Sequence, residues 1–491
     1  MVFSSISFLI IFLPVIVILY YITPSLKVRN YLLLLASLIF YALGEPYYIF
    51  LMIISCLFNY ILAILISKGK YHKCFLILAV VFNIAILSVF KYSNFIISIL
   101  NTLGLRINSP HITLPIGISF FTFQILSYVI DVYRDRSIVQ KNFLNLLLYI
   151  SFFPQLIAGP IVKYHDINYQ INKRETSLDG IAYGIRRFIF GLSKKVLISN
   201  TLGAIVDSVY GYKYSELNIV VTWIAALLYC LQIYYDFSGY SDMALGLGKV
   251  FGFDFKENFN YPYEATSIKE FWRKWHISLS TWFKEYLYIP LGGNRVSKNR
   301  GTVNKFIVFF CTGIWHGASF NFIFWGLIHG LFSVLEDRGN WIKKVRGNFI
   351  GWLYMITIVS TTFVLFRSNT LEQALFFIKN MFFGFNISIA SISNLLLFLN
   401  KYNIFIIIIS IIGIFNWKSK MKDSTGIEVS KFIISSICLI LCIMSLASSK
   451  YNPFIYFRFW GSYEEEKFIF FIYCCCIRIL YNFIYRHVSI W

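Results

Sequence analysis

Residues 312–330 read TGIWHGASFNFIFWGLIHG. Two histidines, His316 and His329, sit here in a run that is otherwise apolar or small. The wider stretch 303–336 is long enough for two membrane passes with a break between them, since one pass needs about 20 mostly apolar residues. An ionisable side chain inside such a stretch is costly and marks a functional site by default. The rest of the chain reads the same way: of 491 residues, 58% are hydrophobic and only 14% are charged. Soluble domains carry roughly 25% charged residues. The composition therefore excludes a soluble enzyme, and with 28 Gly and 10 Pro it also excludes a disordered or collagen-like chain. It predicts one large all-α polytopic membrane bundle.

Outward from that stretch, further apolar runs lie near 6–21, 31–43, 48–67, 74–90, 114–130, 145–161, 181–203, 217–235, 350–366, 385–399, 402–416, 430–447 and 467–485. They predict roughly 11–13 transmembrane helices, some of them re-entrant, which is allowed where the bundle satisfies the backbone. The first run has no basic residue before it and no small-residue cleavage site after it, so it reads as a span. Lys27 and Arg29, then Lys68, Lys70 and Lys73, then Arg134 and Arg136 mark alternate loops, and the loop between the first two groups carries only Glu45. Positive loops stay inside, which puts the N-terminus outside. Lys418, Lys420 and Lys422 mark a later cytoplasmic loop.

The formal net charge of +21 is spread over these loops, as expected of a chain facing anionic membrane lipids and not of a nucleic-acid binder. Cys474, Cys475 and Cys476 are consecutive, so on a helix they point apart, and no metal site is expected. No Walker motif, zinc motif, dinucleotide fingerprint or internal repeat is present.

Two central segments depart from ordinary spans. Residues 232–253, QIYYDFSGYSDMALGLGKVFGF, place Asp236 and Asp242 in a membrane-compatible run beside Ser238, Gly239 and Tyr240. Each aspartate is either functional or the acceptor of a neighbouring Arg, Tyr or broken-helix backbone. Residues 271–295, FWRKWHISLSTWFKEYLYIPLGGNR, repeat Trp272, Trp275, His276, Leu279, Trp282 and Phe283 at helical spacing. They predict an amphipathic helix on or obliquely in the membrane surface. A plain interfacial anchor accounts for the tryptophans; it needs neither His276 nor the Gly292–Gly293 turn before Asn294 and Arg295. The basic excess there suits either an anionic donor or lipid headgroups. At His316, a neutral imidazole can take a proton from a hydroxyl and return it to a leaving group. A structural histidine or a haem ligand stays open on these residues alone, and the distance between His276 and His316 is not readable from sequence.

LPIGISFFTFQILSYVIDVYR at 114–134, FFPQLIAGPIVKY at 152–164, YYDFSGYSDMALGLGKVFGF at 234–253 and the block from Asn258 to Gly330 together resemble the bacterial branch of the membrane-bound O-acyltransferases. YNPFIYFRF at 451–459 resembles the branch that acetylates polysaccharides. The resemblance implies a many-helix bundle with a central tunnel or funnel, and a division into N-terminal helices 1–110, a catalytic core 111–340 and C-terminal helices 341–491. It implies His316 as general base and His276 as its positioning companion, with Trp315 and Asn294 as weaker candidates for orienting the donor or stabilising the oxyanion. Trp275, Trp282, Asp236, Ser238 and Tyr240 are candidate substrate-binding residues. The donor it implies is acetyl-coenzyme A as substrate, with no resident cofactor. The acceptor it implies is a cell-surface polysaccharide outside the cytoplasmic membrane, with an extracytoplasmic acetyltransferase or esterase-like partner expected to complete transfer. Transfer of D-alanine from a carrier protein to teichoic acid is the alternative within the family. A polysaccharide or lipid-intermediate transporter is the alternative outside it, favoured if Asp236 and Asp242 were required and His316 were not.

Overall fold

The computed structural model describes residues 1–108, 112–387, 389–417, 425–449 and 451–453. Among them there are helices and connecting segments and no strand. Among the described residues, six helices are long and apolar enough to cross a membrane: Tyr48–Ser67, His72–Thr102, Leu178–Tyr210, Ile219–Val250, Phe349–Arg367 and Glu428–Ser448. The remaining predicted spans within the described residues fall on shorter or less apolar helices, including Phe8–Ile22, Ile118–Arg134, Lys298–His316, Phe320–Arg338 and Lys401–Gly413. The run 303–336 does break, at Gly317–Ser319, into two helices. The Lys418–Lys422 loop, the three consecutive cysteines, the 467–485 run and most of 451–459 lie outside the described residues.

The predicted span 145–161 is corrected. Helix covers Phe143–Ser151, a single turn follows at Phe153–Leu156, and the backbone then runs irregularly to Lys163. Pro154, Gly159 and Pro160 explain the interruption, because proline removes a backbone donor and Gly159 takes φ +121°. The whole of 152–164 is buried, so protein and not lipid satisfies it. Tyr149 donates to the Val162 carbonyl at 2.8 Å, and the Ile161 amide donates to Ser278 Oγ at 2.9 Å.

The Leu178–Tyr210 and Ile219–Val250 helices form the spine. They meet at two glycine pairs seven residues apart on each helix, Gly184 with Gly246 and Gly191 with Gly239. A Cβ on Gly184 would lie 2.6 Å from the Gly246 carbonyl oxygen, and one on Gly239 would lie 2.7 Å from that of Gly191. Without a hydrophobic drive between helices in lipid, such backbone proximity supplies the packing. Gly239→Val is expected to destabilise the bundle by about 3 kcal/mol, seen as a lower thermal unfolding midpoint in detergent. An unchanged midpoint would contradict the contact.

The spine also settles how two aspartates are tolerated at this depth. Asp242, between the glycine pairs, accepts from Arg187 Nη2 at 2.8 Å and from Lys194 Nζ at 2.6 Å. Asp236 pairs with Lys195 Nζ at 2.7 Å, both side chains being about 2% exposed or less. These are the compensated carboxylates that a low-dielectric interior requires. Lys195 also donates to Asn200 Oδ1 at 2.8 Å and to the Pro453 carbonyl. Asn452 in turn bonds Ser4 and Asn200, which stitches residues 451–453 across the N-terminal segment.

Candidate functional site

His316 is the last residue of the Lys298–His316 helix, and its side chain is buried. The helix ends here because Gly317 is extended and a new helix starts at Phe320. Its final carbonyls are capped from a neighbour: Tyr92 donates to the Ile314 carbonyl at 2.6 Å, and Lys91 donates to that of Trp315. Lys91 also reaches Ser119 Oγ at 3.1 Å and lies over the Trp315 ring. A cation at a helix C-terminus is favourable on both hydrogen-bonding and dipole grounds. Lys91 was legible as a lysine inside the apolar His72–Thr102 segment, yet the sequence reading passed over it.

Trp315, Trp325 and Phe366 surround the His316 ring with centroids 4.9, 5.0 and 5.1 Å away. His276 joins them, its ring centroid 6.5 Å from that of His316 and 5.8 Å from Trp315. The fold thus brings together two histidines separated by forty positions in the chain.

The segment carrying His276 is not one amphipathic helix. It is two short helices, Ile268–Lys274 and Ile277–Phe283, parted at Trp275–His276, where His276 adopts the left-handed conformation (φ 42°, ψ 55°). Nor do its apolar residues lie on a membrane surface: Trp272, Trp275, Leu279, Trp282 and Phe283 are buried in protein. The strained backbone is held by residues 258–260. Ile277 N–H donates to the Asn258 carbonyl and Asn260 N–H to that of Lys274, both at 2.9 Å.

The Asn258 side chain also sets the His276 tautomer. The Ser278 backbone N–H, which can only donate, points to Asn258 Oδ1 at 3.2 Å, and Ser278 Oγ donates to the same atom at 2.8 Å. Asn258 Nδ2 donates to Ser241 Oγ at 3.0 Å, so the amide orientation is fixed. His276 Nδ1, 3.2 Å from that oxygen, must then carry the proton. Nε2 is left with its lone pair, buried and with no hydrogen-bond partner. Asn258→Leu is expected to lower stability by about 2 kcal/mol, because it strands the buried Ser278 and His276 donors. Thermal unfolding checks this, and Asn258→Asp, which keeps the acceptor, should lose less.

His329 shows what a structural histidine looks like here. Trp272 Nε1 donates to its Nδ1 at 3.3 Å, and its Nε2 faces Thr362 Oγ1 at 3.0 Å, so both nitrogens are occupied.

The other candidates scatter. Trp275 packs on Phe271, 5.4 Å between centroids, and Trp282 stacks on Phe123 at 3.8 Å while donating to the Phe123 carbonyl. Tyr240 stacks on Phe3, and Ser238 is buried on the Ile219–Val250 helix. Asn294 is exposed and accepts from the Tyr288 hydroxyl at 2.7 Å. Asn258, Lys91 and Trp325 are the neighbours that sequence reasoning missed.

Basic residues share one end of this region. Lys269 and Lys305 both pair with Asp337, Arg338 donates to Thr302 at 2.9 Å, and Arg134 donates to the Glu285 carbonyl at 2.7 Å. The last contact ties the Arg134–Arg136 loop to the segment that follows the Ile277–Phe283 helix. His316 lies about 16 Å further along its helix from Lys305, at 1.5 Å per residue.

The model of the membrane-bound O-acyltransferase family matches residues 53–366, well over half of the chain. The chain belongs to this family. As a membrane-bound O-acyltransferase it is a multi-pass membrane enzyme that transfers acyl groups to hydroxyls. Relatives of this O-acyltransferase include the probable alginate O-acetylase AlgI of Pseudomonas aeruginosa, 42% identical over 76% of this chain and 73% of the relative. The peptidoglycan O-acetyltransferase of Helicobacter pylori is 35% identical over 87% of this chain and 91% of its own length. The teichoic acid D-alanyltransferase of Streptococcus thermophilus is 29% identical over 47% of this chain and 58% of its own.

Proposed function

We propose that this O-acyltransferase moves an acetyl group from acetyl-coenzyme A, entering from the cytoplasmic side, toward hydroxyls of a cell-envelope polysaccharide or peptidoglycan. The buried His316–His276 pair carries the proposal: two imidazoles, ringed by aromatic side chains, inside a membrane bundle. His316 is the general base and takes the proton of the attacking hydroxyl. His276, held by Asn258 with its Nε2 lone pair inward, positions the proton or the donor. The basic end formed by Lys269, Lys305 and Arg338 suits the phosphates of a nucleotide-bearing thioester. An extracytoplasmic acetyltransferase or esterase-like partner receives or completes the transfer, and the protein resides in the bacterial cytoplasmic membrane.

The acetylating relatives cover far more of this chain than the D-alanylating one, which supports acetyl as the group moved. A transporter role draws no support from Asp236 and Asp242, since each is neutralised by its own cation.

The test uses the full chain in lipid nanodiscs, with acetyl-coenzyme A, a candidate partner and either an oligosaccharide or a peptidoglycan fragment. Release of free thiol that depends on the acceptor is the expected result. Release only from a D-alanyl carrier protein would replace the acetyl reading with the aminoacyl one.

A further inference from the structure

Indole N–H groups in this bundle are paired with care. Trp223 donates to the Met381 carbonyl at 2.7 Å, Trp272 to His329, Trp282 to the Phe123 carbonyl at 3.1 Å and Trp352 to the Tyr263 carbonyl at 3.0 Å. Among the described residues, the two indole N–H groups buried with no acceptor are those of Trp315 and Trp325. These are the two tryptophans whose rings flank His316. An indole nitrogen can only donate, and a buried donor without a partner costs about 1–3 kcal/mol. Such a donor calls for an explanation, and a catalytic acceptor that arrives with the substrate is one.

Trp325 is the more constrained of the two. It is 1% exposed and enclosed by Trp272, His316, His329 and Phe366. His329 cannot serve it, because both its nitrogens are occupied by Trp272 and Thr362. Its position is also rigid. A Cβ on Gly313 would run into the Phe322 carbonyl, and one on Gly326 into the Phe309 carbonyl, so the Lys298–His316 and Phe320–Arg338 helices touch backbone to backbone beside it. Trp315 differs in that its ring lies under the Lys91 ammonium and against Phe120 and Phe123.

We propose that the Trp325 indole N–H donates to the carbonyl oxygen of the acyl thioester and stabilises the oxyanion formed there. The proposal rests on His316 being the base. The acceptor oxygen bonds to the thioester carbon as His316 takes its proton, and the carbonyl electron pair moves onto the oxygen facing Trp325. The tetrahedral species then collapses, the carbon–sulfur bond breaks, and the departing thiolate takes the proton from His316. A rigid donor needs no reorganisation at that moment, and removal of one such donor costs about 10²–10³ in kcat.

The experiment measures acceptor-dependent thiol release from acetyl-coenzyme A by nanodisc-embedded wild type, Trp325→Phe, Trp315→Phe and His316→Ala. Trp325→Phe is expected to lose about 10²–10³-fold in kcat with little change in KM, and Trp315→Phe less than tenfold. Trp325→Phe within threefold of wild type, with His316→Ala inactive, overturns the donor and leaves the base standing. Full activity in His316→Ala removes the base instead, and this proposal with it. A second readout does not need turnover: the infrared carbonyl band of bound, carbonyl-labelled acetyl-coenzyme A should lie at lower frequency in wild type than in Trp325→Phe. Equal bands, or no bound band in wild type, overturn the proposal. If Phe at 325 fails to fold, β-(3-benzothienyl)alanine there replaces only the N–H by sulfur and answers the same question.

Discussion

His316→Ala is expected to lower acyl transfer by about 10³-fold while the protein stays folded. General-base catalysis by a positioned side chain contributes roughly 10²–10⁴, and His276 is the other imidazole in the same aromatic enclosure. That companion is already committed through Nδ1 to Asn258. Its Nε2 can orient a proton or a donor group, but its ring centroid is 6.5 Å from that of His316. His276→Asn should therefore cost less than His316→Ala. Thiol release under saturating donor, measured beside the thermal midpoint of each variant, checks the order. If His276→Asn were the more damaging of the two, the roles would have to be exchanged.

The second large effect concerns stability. Lys195→Ala should destabilise the bundle by about 3–5 kcal/mol, because it leaves the buried Asp236 carboxylate without its cation. It also removes the donor to Asn200 and to the Pro453 carbonyl. The paired replacement Lys195→Met with Asp236→Leu removes both charges together, and such exchanges are often nearly neutral. The double variant should therefore recover most of the lost unfolding temperature and keep turnover within tenfold of wild type. A double variant as unstable as the single one would mean that the polar contacts around the pair, and not the charge, hold this part of the spine.

Hydropathy made the helical bundle readable, since long apolar runs have few other structural outcomes. Length was less readable. Ile219–Val250 continues past Asp236 and Asp242 because cations on the adjacent helix neutralise them, and no local pattern announces Arg187, Lys194 and Lys195 as those partners. The 145–161 run is apolar enough for a helix, yet Pro154, Gly159 and Pro160 turn it into buried irregular chain. Helical spacing over 271–283 is real on either side of Trp275–His276; what breaks it is a tertiary clamp from Asn258 and Asn260. His316 stood out because an ionisable side chain in an apolar run is costly, but sequence alone did not separate it from the structural His329. Its neighbours did not, because Trp325 looks like any apolar-face tryptophan until its unpaired N–H is seen. Asn294 had a suggestive place in sequence and ended in an exposed turn.

The stitch made by residues 451–453 bears on biogenesis. Tyr451 donates to Asp207, Asn452 donates to Ser4 and accepts from Asn200, and the Pro453 carbonyl accepts from Lys195. Until residues 451–453 are in place, Lys195, Asn200 and Ser4 lack the contacts that this segment supplies. Insertion can proceed helix by helix, but closure of this polar cluster waits for residues 451–453 to meet the segments around Ser4 and Lys195. A nascent chain stalled earlier would be inserted yet unfinished, and so exposed to membrane quality control.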